Sequence, residues 1–153
     1  MKILLIEDDQ KKSHDIVEYL CLTIAEIDVV VKESYQSGIR ELIAHNYDLL
    51  LLDMSIPTWD KSINEPGGNF EKFGGIKILK ECARRSCLVN TLLITMFSDF
   101  GDGDSSINLA AIDTSLKESY PDYYQGVIYY SSRDENWKLN LDKFFHQFTE
   151  KKE

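Results

Sequence analysis

The sequence lacks a long hydrophobic run, has few cysteines and carries little positive charge. No apolar stretch approaches the roughly 20 residues that cross a bilayer, and residues 1–25 lack the pattern of a secretory signal peptide, so we expect a cytoplasmic protein. The three cysteines include no C-x-x-C pair, which fits reduced thiols and excludes a disulfide scaffold. Lys and Arg number 17 against 26 acidic residues, a net charge of −9 that disfavours direct binding to nucleic acid.

Short apolar runs alternate with helical patterns along the 153 residues, which is enough chain for one domain. The runs predict five strands, at Lys2–Ile6, Ile27–Val31, Asp48–Leu52, Thr91–Met96 and Gly126–Tyr130. Helices between and after them carry apolar stripes, such as Ile16 and Leu20 in the first. Such alternation is typical of an α/β fold, here a flavodoxin-like, doubly wound, five-stranded parallel sheet with helices on both faces.

The order of the strands and the limits of the domain follow from the same runs. The first, third and fourth strands are the most uniformly apolar, so we place them centrally and predict the order 2-1-3-4-5. Residues 1–153 then form a single domain, with a long inserted loop at about 58–74 and an extended region at about 97–125. The extended region begins with a glycine-rich acidic loop, and long loops in small domains are often functional.

Acidic side chains follow the predicted strands at their carboxyl ends, where open α/β sheets bind ligands. The first strand is followed by Glu7 and Asp8 and the third by Asp53, while the fourth ends with Thr95. Converging carboxylates repel one another, and a hard divalent ion such as Mg²⁺ relieves that repulsion. An aspartate beside such an ion can act as a nucleophile toward phosphorus, with a hydroxyl group stabilising the charged oxygens.

The motifs ILLIEDD, LLLLDMSIP and LLITM, together with GGIKILK, resemble those of receiver domains in two-component response regulators. The resemblance covers nearly the whole chain and implies that Asp53 accepts a phosphoryl group from a histidine kinase or a phosphotransfer protein. It implies that Mg²⁺ is bound by Glu7, Asp8, Asp53 and the backbone carbonyl of Ser55. Thr95 would donate a hydrogen bond to a phosphoryl oxygen and act as the switch residue.

The sequence departs from this family at the end of the fifth strand, where receiver domains carry a lysine that pairs with the acidic pocket. No lysine occurs between Lys117 and Lys138, and Tyr130 occupies the corresponding position. Arg133 is a second candidate to replace the lysine, although a guanidinium differs in shape from an ammonium. The connection from Asp53 to Gly75 is also longer than in the family.

These observations predict a stand-alone receiver domain that signals by protein–protein contact to a separate effector protein, because no output module follows the last helix. It would not be an enzyme beyond self-phosphorylation and autodephosphorylation, and a homodimer is left open. The alternative is a pseudo-receiver that binds partners independently of phosphorylation. A third hypothesis is a Mg²⁺-dependent phosphohydrolase, but those enzymes usually place a second aspartate where this chain has Ser55.

Overall fold

The computed structural model of the chain describes residues 1–61, 70–96, 99–100 and 107–152. Over these residues there are five helices, namely α1 (Gln10–Thr23), α2 (Tyr35–Ala44), α3 (Gly74–Arg84), α4 (Leu109–Ser119) and α5 (Asn136–Glu150). The strands over the same residues are β1 (Lys2–Ile6), β2 (Asp28–Lys32), β3 (Leu49–Leu52), β4 (Ile56–Pro57), β5 (Phe70–Glu71), β6 (Thr91–Thr95), β7 (Asp99–Phe100), β8 (Ile107–Asn108) and β9 (Tyr124–Tyr129).

The five longer strands form one parallel sheet in the order β2-β1-β3-β6-β9. Counted as the first to fifth strands of the sheet, this is the order 2-1-3-4-5, and the predicted flavodoxin-like fold is confirmed. The uniformly apolar strands β1, β3 and β6 are the three interior strands, as expected for strands covered on both faces. A bulge after Thr91 interrupts the pairing of β6 with β9, where Gly126 adopts a φ of 130° that favours glycine.

Alternate residues of each strand contribute to two separate hydrophobic cores. In β1, Ile3 and Leu5 face the core that α1 and α5 cover, whereas Leu4 and Ile6 face the core beneath α2, α3 and α4. The apolar stripe of α5 is buried, with Trp137, Leu141, Phe145 and Phe148 all in the first of these cores. Within the described ranges, no helix combines the length and apolarity that a membrane span requires.

A small two-stranded antiparallel sheet involves each of the two stretches predicted to be unusual in length. Within the region 58–74, β5 pairs with β4, which lies just before that region, and within the region 97–125, β7 pairs with β8 before α4 begins. Residues 62–69 of the inserted loop and residues 97–98 and 101–106 of the acidic loop lie outside the described residues. The division of the chain into one domain with these two insertions therefore stays a prediction.

Candidate functional site

Three carboxylates meet at the carboxyl edge of the sheet, as the strand ends predicted. Glu7 and Asp8 follow β1, Asp53 follows β3, and one carboxylate oxygen of each lies within 4.8 Å of the others. Glu7 and Asp53 are buried, and Asp8 is half-buried. Parallel pairing positions the two strand ends, since the Asp53 amide donates to the Ile6 carbonyl at 3.1 Å.

The carboxylates are held in an arrangement that opposes their own ionisation. Burial raises the pKa of Glu7 to about 8, with the Lys12 ammonium opposing that rise and the Asp53 carboxylate adding to it. The pKa of Asp8 is also raised, first by burial and then by the charge of Asp53. Closely spaced carboxyl groups with raised pKa values fit a site for a hard divalent cation, because a bound cation favours the charged carboxylates.

A buried lysine enters the site from the first turn of α1. The Lys12 ammonium contacts the second carboxylate oxygen of Glu7 and lies 3.3 Å from the Asp53 Oδ1. It also donates a 2.7 Å hydrogen bond to the backbone carbonyl of Ile94, and its side chain has no solvent exposure. The site therefore has a positive charge in contact with the residue predicted to accept the phosphoryl group.

Neither residue that we considered as a replacement for the family's lysine supplies this charge. Tyr130 is buried at the end of β9, and its hydroxyl donates to Asp15 at 2.7 Å rather than to the three carboxylates. Its ring packs against Trp137 and lies 6.0 Å from the Lys12 ammonium. Arg133 is solvent-exposed. The role of Tyr130 or Arg133 as the substitute stays a prediction, while the ammonium in contact with Glu7 and Asp53 comes from the first helix.

The sequence holds a signal for Lys12 that strand-end reasoning does not use. Lys12 precedes Ile16 and Leu20 at intervals of four residues, so helical periodicity places it on the buried stripe of α1. A positive charge in the first turn of a helix is also unfavourable to the helix dipole. Burial and the helix dipole both disfavour a lysine in the first turn of α1. We therefore attribute the position of Lys12 to its contacts with the carboxylates.

Thr95 and Ser55 both lie at the sheet edge that carries the carboxylates. Thr95 is buried at the end of β6, directly after the residue whose carbonyl binds Lys12, and its own carbonyl accepts from the Tyr130 amide at 2.8 Å. Ser55 is buried two positions after Asp53, and its hydroxyl donates to the Lys72 carbonyl at 3.0 Å. Their predicted roles at the site stay predictions.

A close helix–strand contact fixes the backbone of Asp53. The Gly75 amide in the first turn of α3 donates to the Met54 carbonyl at 2.9 Å. A Cβ atom on Gly75 would lie 2.6 Å from the Asp53 carbonyl oxygen and 3.1 Å from the Met54 Cα. Only glycine allows this approach, which explains the glycine that opens the third helix in the motif GGIKILK.

The sheet order and its acidic edge define the class of protein: the chain has the receiver fold of two-component response regulators. The receiver domain of response regulator 1452 of Francisella has a TM-score of 0.59 at 16% identity, with 95% of this chain and 97% of that chain covered. The response regulator TrrA of Thermotoga maritima, solved with Mg²⁺ and BeF, has a TM-score of 0.54 at 16% identity, with 94% and 97% covered. The Mn²⁺-bound response regulator Rcp1 has a TM-score of 0.61 at 15% identity, with 93% and 89% covered.

Several curated proteins match the chain over nearly its whole length. One is the uncharacterized protein y4jR of Sinorhizobium fredii, 29% identical over 143 residues, which are 92% of this chain and 94% of the relative. Another is the Detocs response regulatory protein DtcB of Enterobacter cloacae, 27% identical over 145 residues, which are 94% of this chain and 97% of the relative. No family model matches the sequence. The solved structures show the receiver fold, and the similarity to DtcB supports a response regulator function of the receiver type.

Proposed function

We propose that the protein is a phosphoryl-accepting receiver of a two-component phosphorelay, with Asp53 as the acceptor and Mg²⁺ as the cofactor. The observation that carries the proposal is the meeting of Glu7, Asp8 and Asp53 within 4.8 Å at the carboxyl edge of β1 and β3, in contact with a buried ammonium. A structural role alone does not require three carboxylates to be so close, because their repulsion is costly when no ligand offsets it.

Each residue of the site then has a defined task in phosphoryl transfer. A carboxylate oxygen of Asp53 attacks phosphorus, forming a P–O bond, while the bond from phosphorus to the donor breaks with its electron pair. A leaving imidazole of a phosphohistidine takes up a proton from solvent. Thr95 would donate its hydroxyl to an oxygen of the transferred group. Glu7, Asp8, Asp53 and the Ser55 carbonyl would hold Mg²⁺, which when bound offsets the charge of the phosphoryl oxygens.

The partners implied are proteins rather than nucleic acids. A histidine kinase or a phosphotransfer protein would donate the phosphoryl group, and a separate effector would bind the phosphorylated form. The net charge of −9 disfavours a direct role at DNA. The related structures that carry Mg²⁺ with BeF, or Mn²⁺, support a divalent ion in the same type of site. A cytoplasmic location belongs to the same proposal, and a homodimer is left open.

The direct test is covalent labelling with a small phosphodonor. The protein is incubated with Mg²⁺ and acetyl phosphate, and intact mass is compared for the wild type, Asp53→Asn and Asp28→Asn. We expect one phosphoryl group on the wild type and on Asp28→Asn, which removes an exposed carboxylate at the opposite edge of the sheet. Asp53→Asn should remain unlabelled. An unlabelled wild type, or a label that survives Asp53→Asn, contradicts the proposal.

One contact in the site favours a second function. Because Lys12 already lies against Asp53 and Glu7, the pocket is partly neutralised without a metal, as in a pseudo-receiver that binds partners constitutively. Partner binding that is unaffected by Asp53→Asn and by removal of Mg²⁺ supports this alternative. Multiple turnover of a phosphate ester would instead indicate the phosphohydrolase, which the structure gives no specific reason to favour.

A further inference from the structure

We infer that Lys12 is the phosphoryl-binding cation of this site, so that the first helix of the protein supplies a charge that receivers otherwise take from the fifth strand. The inference rests on the proposed function, because it assigns a role to Lys12 in phosphorylation of Asp53. Its basis is the position of the ammonium, 3.3 Å from the Asp53 Oδ1 and 2.7 Å from the Ile94 carbonyl.

The surroundings of Lys12 indicate that the ammonium serves the site rather than the fold. Its side chain is fully buried in the first turn of α1, where both desolvation and the helix dipole oppose a positive charge. Its acceptors are two carboxylates of the site and one backbone carbonyl from β6. These acceptors direct the ammonium to the carboxyl edge of the sheet, where a phosphoryl group on Asp53 would lie.

The residue that follows β9 complements this arrangement. Tyr130 fills the position of the absent lysine, and its hydroxyl is engaged by Asp15, so it offers no donor to Asp53. The tyrosine ring instead forms a wall 6.0 Å from the Lys12 ammonium. The tyrosine after β9 and the lysine on α1 therefore complement each other, because the first leaves the position of the family's lysine without a charge and the second supplies that charge.

The contact with Ile94 also connects Lys12 to the residue expected to act as the switch. Phosphorylation converts the Asp53 carboxylate into an acyl phosphate and moves its negative charge onto the phosphoryl oxygens. The ammonium would then bind the phosphoryl oxygens that carry this charge. It also donates to the carbonyl of Ile94, the residue immediately before Thr95. Lys12 thus contacts both the group that is modified and the strand that carries the hydroxyl.

This role predicts opposite effects of a Lys12 variant on two ligands of the same pocket. The ammonium competes with Mg²⁺ for Asp53, so removing it should tighten Mg²⁺ binding in the absence of a phosphoryl group, by about threefold or more. The same change removes a charged donor to the phosphoryl group. Binding of beryllofluoride at saturating Mg²⁺ should therefore weaken by about 10- to 100-fold, the range for a hydrogen bond to a charged group.

The experiment compares wild type, Lys12→Met and Lys11→Met by titration calorimetry, first with Mg²⁺ and then with beryllofluoride at saturating Mg²⁺. Lys11 is the matched control, since it is the neighbouring residue, 69% exposed and paired with Asp15 at 2.8 Å. Opposite shifts for Lys12→Met, with none for Lys11→Met, support the inference. The double variant Lys12→Met/Tyr130→Lys, which returns an ammonium to β9, should recover beryllofluoride binding.

Failure of the proposed function and failure of the inference about Lys12 give different results. A wild type that binds no beryllofluoride and gains no phosphoryl group overturns the proposed function and the inference with it. A wild type that does both, with Lys12→Met unchanged or weakened for both ligands, overturns the inference alone. Should Lys12→Met fail to fold, as judged by thermal melting, Lys12→Arg keeps the charge with a different shape. It should bind Mg²⁺ like the wild type and beryllofluoride several-fold more weakly, and an unchanged beryllofluoride affinity overturns the inference.

Discussion

Substituting Gly75 tests whether the first turn of α3 must contact the backbone that carries Asp53. A Cβ atom on Gly75→Ala would lie 2.6 Å from the Asp53 carbonyl oxygen and 3.1 Å from the Met54 Cα. Both are backbone atoms, so relief requires a shift of α3 or of the chain after β3. Overpacking of this kind costs about 1–3 kcal/mol, whereas alanine gains up to about 1 kcal/mol over glycine within a helix. We therefore expect a net loss of about 1–2 kcal/mol in the free energy of unfolding.

The assay for Gly75→Ala is urea denaturation followed by circular dichroism, with Gly38→Ala as the matched control. The Cβ in Gly38→Ala would meet the tip of the Ile6 side chain, which can rotate away, so its cost should be smaller. For a chain of this length the expected loss corresponds to a fall in Tm of about 2–8 °C. Labelling of Asp53 by acetyl phosphate should also slow. A Gly75→Ala variant as stable as the wild type, and labelled as fast, would refute the reasoning.

Three further predictions concern hydrogen bonds, pH and metal. Tyr130→Phe removes the donor to Asp15 and should lower the free energy of unfolding by about 1 kcal/mol in urea denaturation, with beryllofluoride binding unchanged. The pKa of Asp48 is lowered by the Lys2 amide and by Lys152, so its contribution is present above a pH of about 4 and lost as the pH falls further. After discounting for exposure, Asp48→Asn should cost about 0.5 kcal/mol at pH 7 and progressively less as the pH falls below about 4; a loss that does not change with pH would contradict the shift. Mg²⁺ at about 100 times its Kd should stabilise the wild type by about 2.7 kcal/mol in thermal melts, and Asp8→Asn should lose most of that gain; equal gains would exclude Asp8 as a ligand.

Most of the fold is readable in the sequence because the strands are nearly continuous apolar runs. A short run such as LLLL in β3, between turn signals, indicates a strand covered on both faces, and three such runs are the interior strands of the sheet. The ends of those runs then place Glu7, Asp8 and Asp53 at one edge without further information. The bounds of β1 match the predicted ones, and those of the other four strands of the sheet differ by at most two residues, which is expected where pairing rather than composition ends a strand.

The cation of the site could not be predicted in the same way, because a helix rather than a strand end presents it. The segment after β9, where the family's lysine is expected, holds Tyr130 and Arg133, but the Tyr130 hydroxyl donates to Asp15 and Arg133 is solvent-exposed. The spacing of Lys12 from Ile16 and Leu20 does place it on the inner face of α1. One polar residue on an apolar stripe is weak evidence for burial, since a lysine stem can extend to solvent from such a position. The contact with Asp53 is a property of the tertiary structure.

The origin of the ammonium in α1 changes which parts of the chain determine the charge of the pocket. Glu7, Asp8 and Lys12 all come from one short stretch of the N-terminal segment, and Asp53 completes the set. In the described part of the C-terminal third, Tyr130 contributes a neutral ring beside the ammonium instead of a charge. A change of sequence after β9 that keeps this ring in place therefore leaves the electrostatics around Asp53 as they are.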